Sequence, residues 1–347
     1  MFPLKSSRAW RRSRGFTLVE LLIVVAIIGI LLAILLPALN SVRESGRRLS
    51  CGNNLRSLGQ ALHTYHTSYG RFPPSVEFDD GDDPATITDF RPNWVIWILP
   101  FIEQESLYES FDLSQPISDA SNQAARNKVI ATMLCPSDEG NAHEFAGDGG
   151  SWARGNYAAN GGNGPLSSTH AIGIAGPSSP GWADMQLRGV MGANVSLRLE
   201  DIRDGSSKTF LAGEIRIGVN SSDRRGVWAM GCAGASALYW YGSGGDANGP
   251  NSCYVAADDF VGCSSLSATQ LAGTCMPCDS TVAQNRQATM RSVHQDGVQV
   301  VMAGGNTHFI NDFIETSGVN GPCCTVWDAL IGSNDGLVFD DSDWNPN

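Results

Sequence analysis

The sequence predicts an α+β fold in which one long N-terminal helix packs on an antiparallel β-sheet head with large loops. Three observations support this prediction. An unbroken apolar run from Leu21 to Leu36 continues into an amphipathic stripe that ends near Tyr69. Strand-like segments and Gly-containing turn pairs are frequent after residue 140. Glycine accounts for 39 of the 347 residues, which indicates a turn-rich head.

The first element is an apolar helix long enough to cross a membrane. With Leu18 and Val19, residues 21–36 approach the roughly 20 residues that span a bilayer as a helix. Five basic residues precede the run, and they place the N-terminus in the cytoplasm and the chain after Pro37 outside. They are Lys5, Arg8, Arg11, Arg12 and Arg14. Glu20 is the acidic exception in the segment, and an intramembrane carboxylate is a functional candidate because it needs a partner.

The helix is expected to continue beyond the membrane segment. Between residues 39 and 69, apolar side chains recur at spacings near three and four, with arginines among them. We therefore expect one helix from Phe16 to about Tyr69, in which Pro37 produces a kink or a locally melted turn. Gly70 and the pair Pro73-Pro74 should end it.

The segment after the helix alternates between loops and short apolar elements. Residues 75–92 have the composition of an acidic loop, and Glu103–Phe111 is predicted as a short helix. Asn127–Leu134 is an apolar strand or a helix end. The density of Gly, Ser, Asn and Pro predicts long loops over residues 140–190.

Strands are predicted in the last part of the chain. Thr209–Ile217 alternates as a strand does, and Gly226–Trp240 has strand-like apolar character. A hairpin is predicted from Val298–Met302 and Thr307–Ile310. The Gly304-Gly305 pair between them suits a two-residue turn with positive φ at both positions.

The nine cysteines are disulfide candidates because the chain beyond the membrane segment is expected to be exported. A bridge from Cys51 to Cys135 would tether the segment around Cys135 to the long helix, and the alternative is that both thiols are simply buried. Residues 232–286 form a cysteine-rich insertion. Because nine is odd, at least one thiol is free or pairs between chains. The candidates are Cys51, Cys135, Cys232, Cys253, Cys263, Cys275, Cys278, Cys323 and Cys324.

Cys275 and Cys278 form a Cys-x-x-Cys pair that also allows a zinc or redox interpretation. Zinc would need two further ligands, for which Cys263 and Cys323 are candidates. A thioredoxin-type motif opens a helix after a strand, whereas this pair lies in a segment rich in Ser, Gly and Thr. We therefore favour disulfides, with Cys323 and Cys324 bonded to different partners because a bridge between neighbours is strained.

The sequence indicates neither an enzyme nor a nucleic-acid partner. The G-x-S-x-G, H-E-x-x-H and P-loop patterns do not occur. The formal charge is −12 although the first 15 residues are basic, and an acidic chain opposes phosphate binding. His63 and His66 are three apart on the helix, as in a metal pair. They have no acidic partner at helical spacing, so capping and packing are the favoured roles.

The N-terminal motif carries a family resemblance. Gly15 and Phe16 follow the basic leader, and Glu20 is the fifth residue counted from Phe16. This arrangement resembles the type IV prepilin and pseudopilin signal. The resemblance implies that prepilin peptidase cleaves between Gly15 and Phe16 and that the Phe16 amine is N-methylated. It also implies that Glu20 pairs with the N-terminal amine of a neighbouring subunit, so that two buried charges cancel.

Calcium is the one cofactor candidate, and no other cofactor is expected. Major pseudopilins of type II secretion have a C-terminal calcium loop, which the acidic C-terminus of this chain resembles. Hard oxygen ligands suit Ca²⁺, and a solvated acidic tail is the alternative. The candidate ligands are Asp340, Asp341 and Asp343, and a second acidic cluster lies at residues 79–83.

Five further blocks resemble the large planctomycete pseudopilin-like family known as DUF1559, over nearly the whole chain. They are CGNNLRSLGQALHTYHTSYGRFPP at 51–74, WVIWILPFIEQESLYESFD at 94–112, LCPSD at 134–138, GNYAANGG at 155–162 and DIRDGSSKTFLAGE at 201–214. The family usually ends with a His, nine residues and then Asp-Gly. Here His294 is followed at that spacing by Gly304-Gly305, so the Asp is missing. The resemblance implies location and assembly type rather than chemistry.

These resemblances imply a pilin-like fold and a structural function. The expected parts are a leader at 1–15, a transmembrane assembly helix at 16–37, its amphipathic continuation at 38–72 and an extracytoplasmic head at 73–347. The processed subunit would assemble with other pilin-like subunits into a pilus-like fibre or envelope complex of the type II secretion or type IV pilus kind.

The expected location follows from the same motif. The chain would cross the inner membrane once, with its N-terminus in the cytoplasm and its head in the periplasm, and would reach the cell surface if assembled there. The alternative is a monomeric, membrane-anchored extracytoplasmic binding protein. Its ligand surface would be formed by the loops at 140–190 and 242–286.

Overall fold

The computed structural model describes most of the chain. The described residues are 16–79, 82, 87–138, 143–164, 166, 187–240, 249–254, 257–260, 262–279, 287–316, 325–337, 339 and 344. The chain forms two compact units, Met1–Gly46 and Arg47–Asn347. Several predicted features lie outside the described residues, namely the leader at 1–15 with Gly15, the cysteines Cys323 and Cys324, and the acids Asp340, Asp341 and Asp343.

The first helix, α1, spans Leu18–Tyr69 and confirms the predicted long helix. It begins after Thr17, whose hydroxyl oxygen accepts the Glu20 N–H at 3.2 Å and so caps the first turn. The helix is unbroken at Pro37, so the alternative of a locally melted turn is wrong. Proline removes a single N–H donor, and the many other bonds of a 52-residue helix keep it intact. Gly70, with φ 77°, follows the last turn as predicted.

The second half of α1 is amphipathic. Its buried residues recur at spacings of three and four, which places them on one face. They are Cys51, Leu55, Leu58, Gly59, Ala61 and Leu62. At Gly59 the helix approaches the sheet closely, because a Cβ added there would lie 2.7 Å from Cγ2 of Val301.

Five short helices complete the α-helical structure within the described ranges. They are α2 (Trp94–Ile98), α3 (Glu105–Glu109), α4 (Gln123–Arg126), α5 (Ala268–Gly273) and α6 (Val326–Ile331). Short 3-10 turns occur at Leu99–Ile102, Ala120–Asn122, Ala131–Met133, Leu199–Asp201 and Cys263–Ser265. Helix α3 is shorter than the predicted Glu103–Phe111 because Glu103 is left-handed, with φ 61°. The apolar segment at 127–134 contains a 3-10 turn rather than a strand.

Seven strands form two sheets in the described part of the chain. Strands β1 (Phe145–Gly147) and β2 (Gly150–Trp152) make a small hairpin. The larger sheet has the order β5-β3-β4-β6-β7. Its strands are β3 (Tyr157–Gly162), β4 (Phe210–Glu214), β5 (Ala237–Tyr239), β6 (Gly297–Met302) and β7 (Thr307–Asn311). Every pair is antiparallel except β3 with β5, so the predicted sheet is confirmed with one parallel pair that the sequence did not indicate.

Three strand predictions differ from the structure. Strand β4 is shorter than Thr209–Ile217, because the Ile217 N–H donates to the Asp138 carboxylate instead of a neighbouring strand. Within residues 226–240 only β5 is extended, because the chain turns at Gly226 and Gly234, which both have positive φ. Strands β1 to β3 lie in the segment that was expected to form loops.

The predicted hairpin is present as β6 and β7, but its turn differs. Gly305 has φ 91°, whereas Gly304 is not left-handed, so positive φ at both positions is wrong. The connection includes Ala303 and Asn306, and the Met302 N–H donates to the Asn306 carbonyl at 2.8 Å. A four-residue connection requires the left-handed conformation at fewer positions than a two-residue turn.

Apolar clusters cover both faces of the larger sheet. Leu55 and Leu58 of α1 share one cluster with Val301 of β6. Val300 belongs to the second cluster, together with Trp327 of α6. Successive side chains of a strand point to opposite faces, so neighbouring residues of β6 bind the sheet to different helices.

Two disulfides hold the cysteine-rich insertion. Cys253 is bonded to Cys275, and Cys263 is bonded to Cys278. The two cysteines of the Cys-x-x-Cys pair therefore reach different partners. The zinc alternative that combined them with Cys263 is wrong, because all three sulfurs are committed to disulfides.

Cys232 is a predicted disulfide candidate, and this prediction is wrong. Its thiol is the one free thiol among the described cysteines, and the residue is fully buried. Burial raises the pKa of the Cys232 thiol to about 11, so the side chain stays neutral and packs as a small apolar group.

The pairing of the insertion can be tested by peptide mapping without reduction. We expect one linked pair that contains Cys253 and Cys275 and another that contains Cys263 and Cys278. Cys232 serves as the internal control, because it should react with an alkylating reagent only after unfolding. A peptide in which Cys275 is bonded to Cys278 would contradict this arrangement.

Candidate functional site

The first candidate site is the start of α1. The backbone N–H and the hydroxyl of Thr17 both donate to Oε2 of Glu20, at 2.9 and 2.8 Å. With the Glu20 N–H bonded back to the Thr17 hydroxyl oxygen, this is a reciprocal capping arrangement. The arrangement holds the carboxylate at the helix N-terminus, four positions after Phe16 in the chain.

The Glu20 carboxylate can also accept a partner from another chain. Glu20 and Phe16 are both exposed, and Oε2 receives both bonds from Thr17. A carboxylate has about four acceptor positions on its two oxygens, so an ammonium group can add a charge-assisted hydrogen bond without removing the cap.

Apolar side chains surround α1 between residues 18 and 36. Each large apolar side chain in this stretch is 44 to 74 % exposed. A helix that is apolar on every side is covered either by lipid or by other helices. In the described part of the chain, α1 is the single helix that is long and apolar enough to cross a membrane.

The second candidate site is a buried cluster in the head. It brings together Cys51, Cys135, Glu214 and His294, with one potential ligand atom of each lying within 4.8 Å of the others. Cys51 and Cys135 form a disulfide. His294 Nε2 lies 3.5 Å from the Cys135 sulfur and 3.4 Å from Oε1 of Glu214. All four residues are buried.

Separate elements bring these four residues together. Cys51 lies on α1, Cys135 follows a 3-10 turn, Glu214 ends β4 and His294 precedes β6. Hydrogen bonds connect these elements around the cluster. The Tyr157 hydroxyl donates to the Cys51 carbonyl at 3.1 Å, the Cys135 N–H donates to Asn156 Oδ1 at 2.9 Å, and the Gln299 N–H donates to Glu214 Oε2 at 2.8 Å. Hydrogen bonds between separate elements of the head therefore hold the cluster in place.

The cluster connects sequence blocks that are far apart in the chain. Cys51, Cys135 and Glu214 come from three of the blocks quoted above, and His294 is the histidine of the terminal pattern. The sequence alone indicated a possible Cys51–Cys135 bridge and drew attention to His294. It did not indicate that these residues lie together, and it did not point to Glu214. The available signal was that Cys51, Cys135 and Glu214 each lie in a block that resembles the same family, as the terminal pattern with His294 does.

The two helix histidines have packing partners. His66 Nε2 accepts the Leu199 N–H at 3.0 Å, and both imidazole rings lie against Phe72. Burial lowers the pKa of His63, which keeps its ring neutral. In the second acidic cluster, Asp79 forms an ion pair with Arg91.

Two family models match different parts of the chain. The family model described as "Protein of unknown function (DUF1559)" matches residues 40–317. The model described as "Prokaryotic N-terminal methylation motif" matches residues 10–36. No solved structure matches the chain.

Curated relatives match only the N-terminal region. The type IV major pilin protein PilA of Myxococcus xanthus is 39 % identical over 69 residues, which are 20 % of this chain and 31 % of the pilin. The type II secretion system core protein G of Pectobacterium carotovorum is 36 % identical over 66 residues, or 19 % of this chain and 42 % of that protein. The competence protein ComGC of Halalkalibacterium halodurans is 31 % identical over 70 residues, or 20 % of this chain and 69 % of that protein. The chain thus spans less than half the length of the first two relatives.

Proposed function

Because this chain belongs to the DUF1559 family and carries the prokaryotic N-terminal methylation motif, we propose that it is a structural, pilin-like subunit. In this proposal, the leader at 1–15 is removed, the Phe16 amine is methylated and residues 16–37 remain as the membrane and assembly helix. The amphipathic continuation at 38–72 carries the extracytoplasmic head at 73–347. The proposal assigns the chain no catalytic role.

One observation carries the proposal. The Glu20 carboxylate stands at the N-terminus of a helix that is apolar on every side, four positions after the expected new amine of Phe16. A lone helix gains nothing from an acid within lipid, whereas a bundle of identical helices offers each acid an amine from a neighbour. Pairing of these two charges would set the register between neighbouring subunits.

The same arrangement suggests the partners. Cleavage and methylation call for a prepilin peptidase and methyltransferase, and assembly calls for other pilin-like subunits. Relatives of the N-terminal segment include a type IV pilin and a type II secretion core protein, so we propose a fibre or envelope complex of that kind. The basic leader supports an N-terminus in the cytoplasm and a head beyond the inner membrane.

A second candidate function is a monomeric, membrane-anchored binding protein. A cavity of about 520 Å³ in the head favours it, with Asp138, His143, Arg216 and Gln270 among its lining residues. Cavities of this size suit small ligands. This function would need the membrane helix as an anchor only, and it would give Glu20 no role between subunits.

The processing step is tested by Gly15→Leu. We expect the wild-type chain to begin with N-methylated Phe16, and the variant to keep residues 1–15 while still inserting into the membrane. A bulky side chain at the cleavage point hinders the peptidase but leaves the apolar segment unchanged. Intact-mass measurement of the chain purified from membranes distinguishes the two forms.

A glycine substitution inside the helix provides the matched control. Gly29 has open space around it, so Gly29→Ala should be cleaved as the wild type is. Wild-type chains that retain residues 1–15, or that are cleaved after Ala33, would contradict the proposed function.

A further inference from the structure

We propose that the dithiol form of the head binds one zinc ion through Cys51, Cys135, Glu214 and His294. This site lies outside the membrane and assembly segment at residues 16–37, and it does not depend on the proposed function. The structure contains the two sulfurs as a disulfide, and the inference concerns the state in which that bond is reduced.

The distances in the cluster fit tetrahedral zinc. Zinc–sulfur bonds of about 2.3 Å and zinc–nitrogen bonds of about 2.0 Å place S and N ligands about 3.5 Å apart, and place N and O ligands about 3.3 Å apart. The observed distances are 3.5 Å from Cys135 Sγ to His294 Nε2 and 3.4 Å from that nitrogen to Glu214 Oε1. The other pairs of ligand atoms lie within 4.8 Å of one another, and reduction must separate the two sulfurs to about 3.8 Å to complete the tetrahedron.

An unsatisfied oxygen points into the same space. Glu214 Oε1 is buried and makes no well-formed hydrogen bond, its one polar contact being His294 Nε2 at 3.4 Å, whereas Oε2 of the same carboxylate accepts the Gln299 N–H. Buried polar atoms are nearly always paired, and such exceptions require an explanation. A zinc ion between Oε1, the imidazole and the sulfurs would satisfy it, and the Gln299 N–H would hold the carboxylate in orientation.

The donor set favours zinc over hard cations. Two thiolates and an imidazole are ligands for zinc, whereas Ca²⁺ and Mg²⁺ select oxygen ligands. The four residues supply four ligands and are all buried, which is the closed coordination of a structural rather than a catalytic site.

The disulfide form is converted to the zinc-bound form in two balanced steps. A phosphine reductant and one water molecule convert the disulfide to two thiols, while the phosphine becomes its oxide. Zinc then displaces one proton from each thiol, and both protons go to solvent. In either form, a bond through the two sulfurs joins α1 to the segment around Cys135.

The test uses the full chain in detergent, with Cys253, Cys263, Cys275 and Cys278 all replaced by serine, so that no thiol of these two disulfides can bind zinc. After phosphine reduction, we expect one zinc ion per chain by native mass spectrometry, and none in the oxidised protein. Cobalt in place of zinc should give a tetrahedral spectrum with charge-transfer intensity from two thiolates. A spectrum of four thiolates, or no retained metal, would overturn the proposal.

Ligand variants localise the metal. In the same reduced background, His294→Gln and Glu214→Gln should each weaken zinc affinity by about 100-fold or more, whereas Cys232→Ser, a buried thiol outside the cluster, should leave it unchanged. If the reduced parent chain and its His294→Gln variant bind zinc with equal affinity, the metal lies elsewhere and the assignment is refuted. If a variant fails to fold, the cobalt spectrum of the parent chain still decides the number of thiolate ligands.

Discussion

Glu20→Ala is expected to leave membrane insertion intact and to abolish assembly. Removing the acid makes the apolar segment easier to insert, because the segment then carries no charge. In an assembled bundle the same change leaves a neighbour's Phe16 amine without its partner, and an unpaired buried charge costs about 3 to 5 kcal/mol. This cost recurs at every subunit contact, so the effect on a fibre should be close to complete.

The comparison with Glu20→Gln separates charge from helix capping. Glutamine retains an oxygen that can accept the Thr17 bonds, so the capping arrangement should survive while the charge is lost. We therefore expect Glu20→Gln to fail in assembly nearly as strongly as Glu20→Ala. A photo-crosslinking residue at Ile27 in membrane preparations would report assembly as a ladder of linked subunits. Undiminished ladders in both variants would favour the monomeric binding protein.

Removal of the Cys51–Cys135 bridge is expected to give the largest loss of head stability. The two cysteines are separated by 84 residues, and closing a loop of this length contributes about 4 to 5 kcal/mol in the chain-entropy model. The bridge also fixes α1 to the start of the segment that leads into β1. We expect Cys51→Ala with Cys135→Ala to lower the free energy of unfolding of the oxidised chain by about that amount.

The matched control is the pair Cys253→Ala and Cys275→Ala, which opens a loop of only 22 residues. The same model assigns this shorter loop about 3 kcal/mol, so the control should be the milder change. Urea denaturation of the full chain in detergent, followed by Trp fluorescence, compares the variants. Equal stability of the Cys51 and Cys135 double variant and the wild type would contradict the prediction.

The start of the chain was predictable because its signals are local. Basic residues, Gly15-Phe16, Glu20 and the apolar run are adjacent in sequence, and both the methylation-motif match and α1 agree with the prediction made from them. The amphipathic face of α1 could likewise be read from a period of about 3.6 residues. The β6–β7 hairpin was found because its strands are neighbours in the chain.

What only the tertiary structure decided depends on contacts between distant residues. The parallel pairing of β3 with β5 joins segments about 80 residues apart, and no periodicity in either strand indicates its partner. The same holds for the disulfide partners of Cys275 and Cys278, and for the unpaired state of Cys232. A cysteine's sequence neighbours do not reveal which other sulfur will lie within bonding distance.

The buried cluster shows most clearly which features the sequence alone determines and which depend on the tertiary structure. The sequence alone determined that Cys51, Cys135 and His294 stand in blocks resembling one family, and that the N-terminal helix carries the assembly motif. The structure decided that these three residues and Glu214 meet at one point. Helix periodicity and strand alternation are set by neighbours within a few residues. The meeting of four side chains is set by how α1, β4 and β6 pack together, which depends on burial of apolar surface over the whole head.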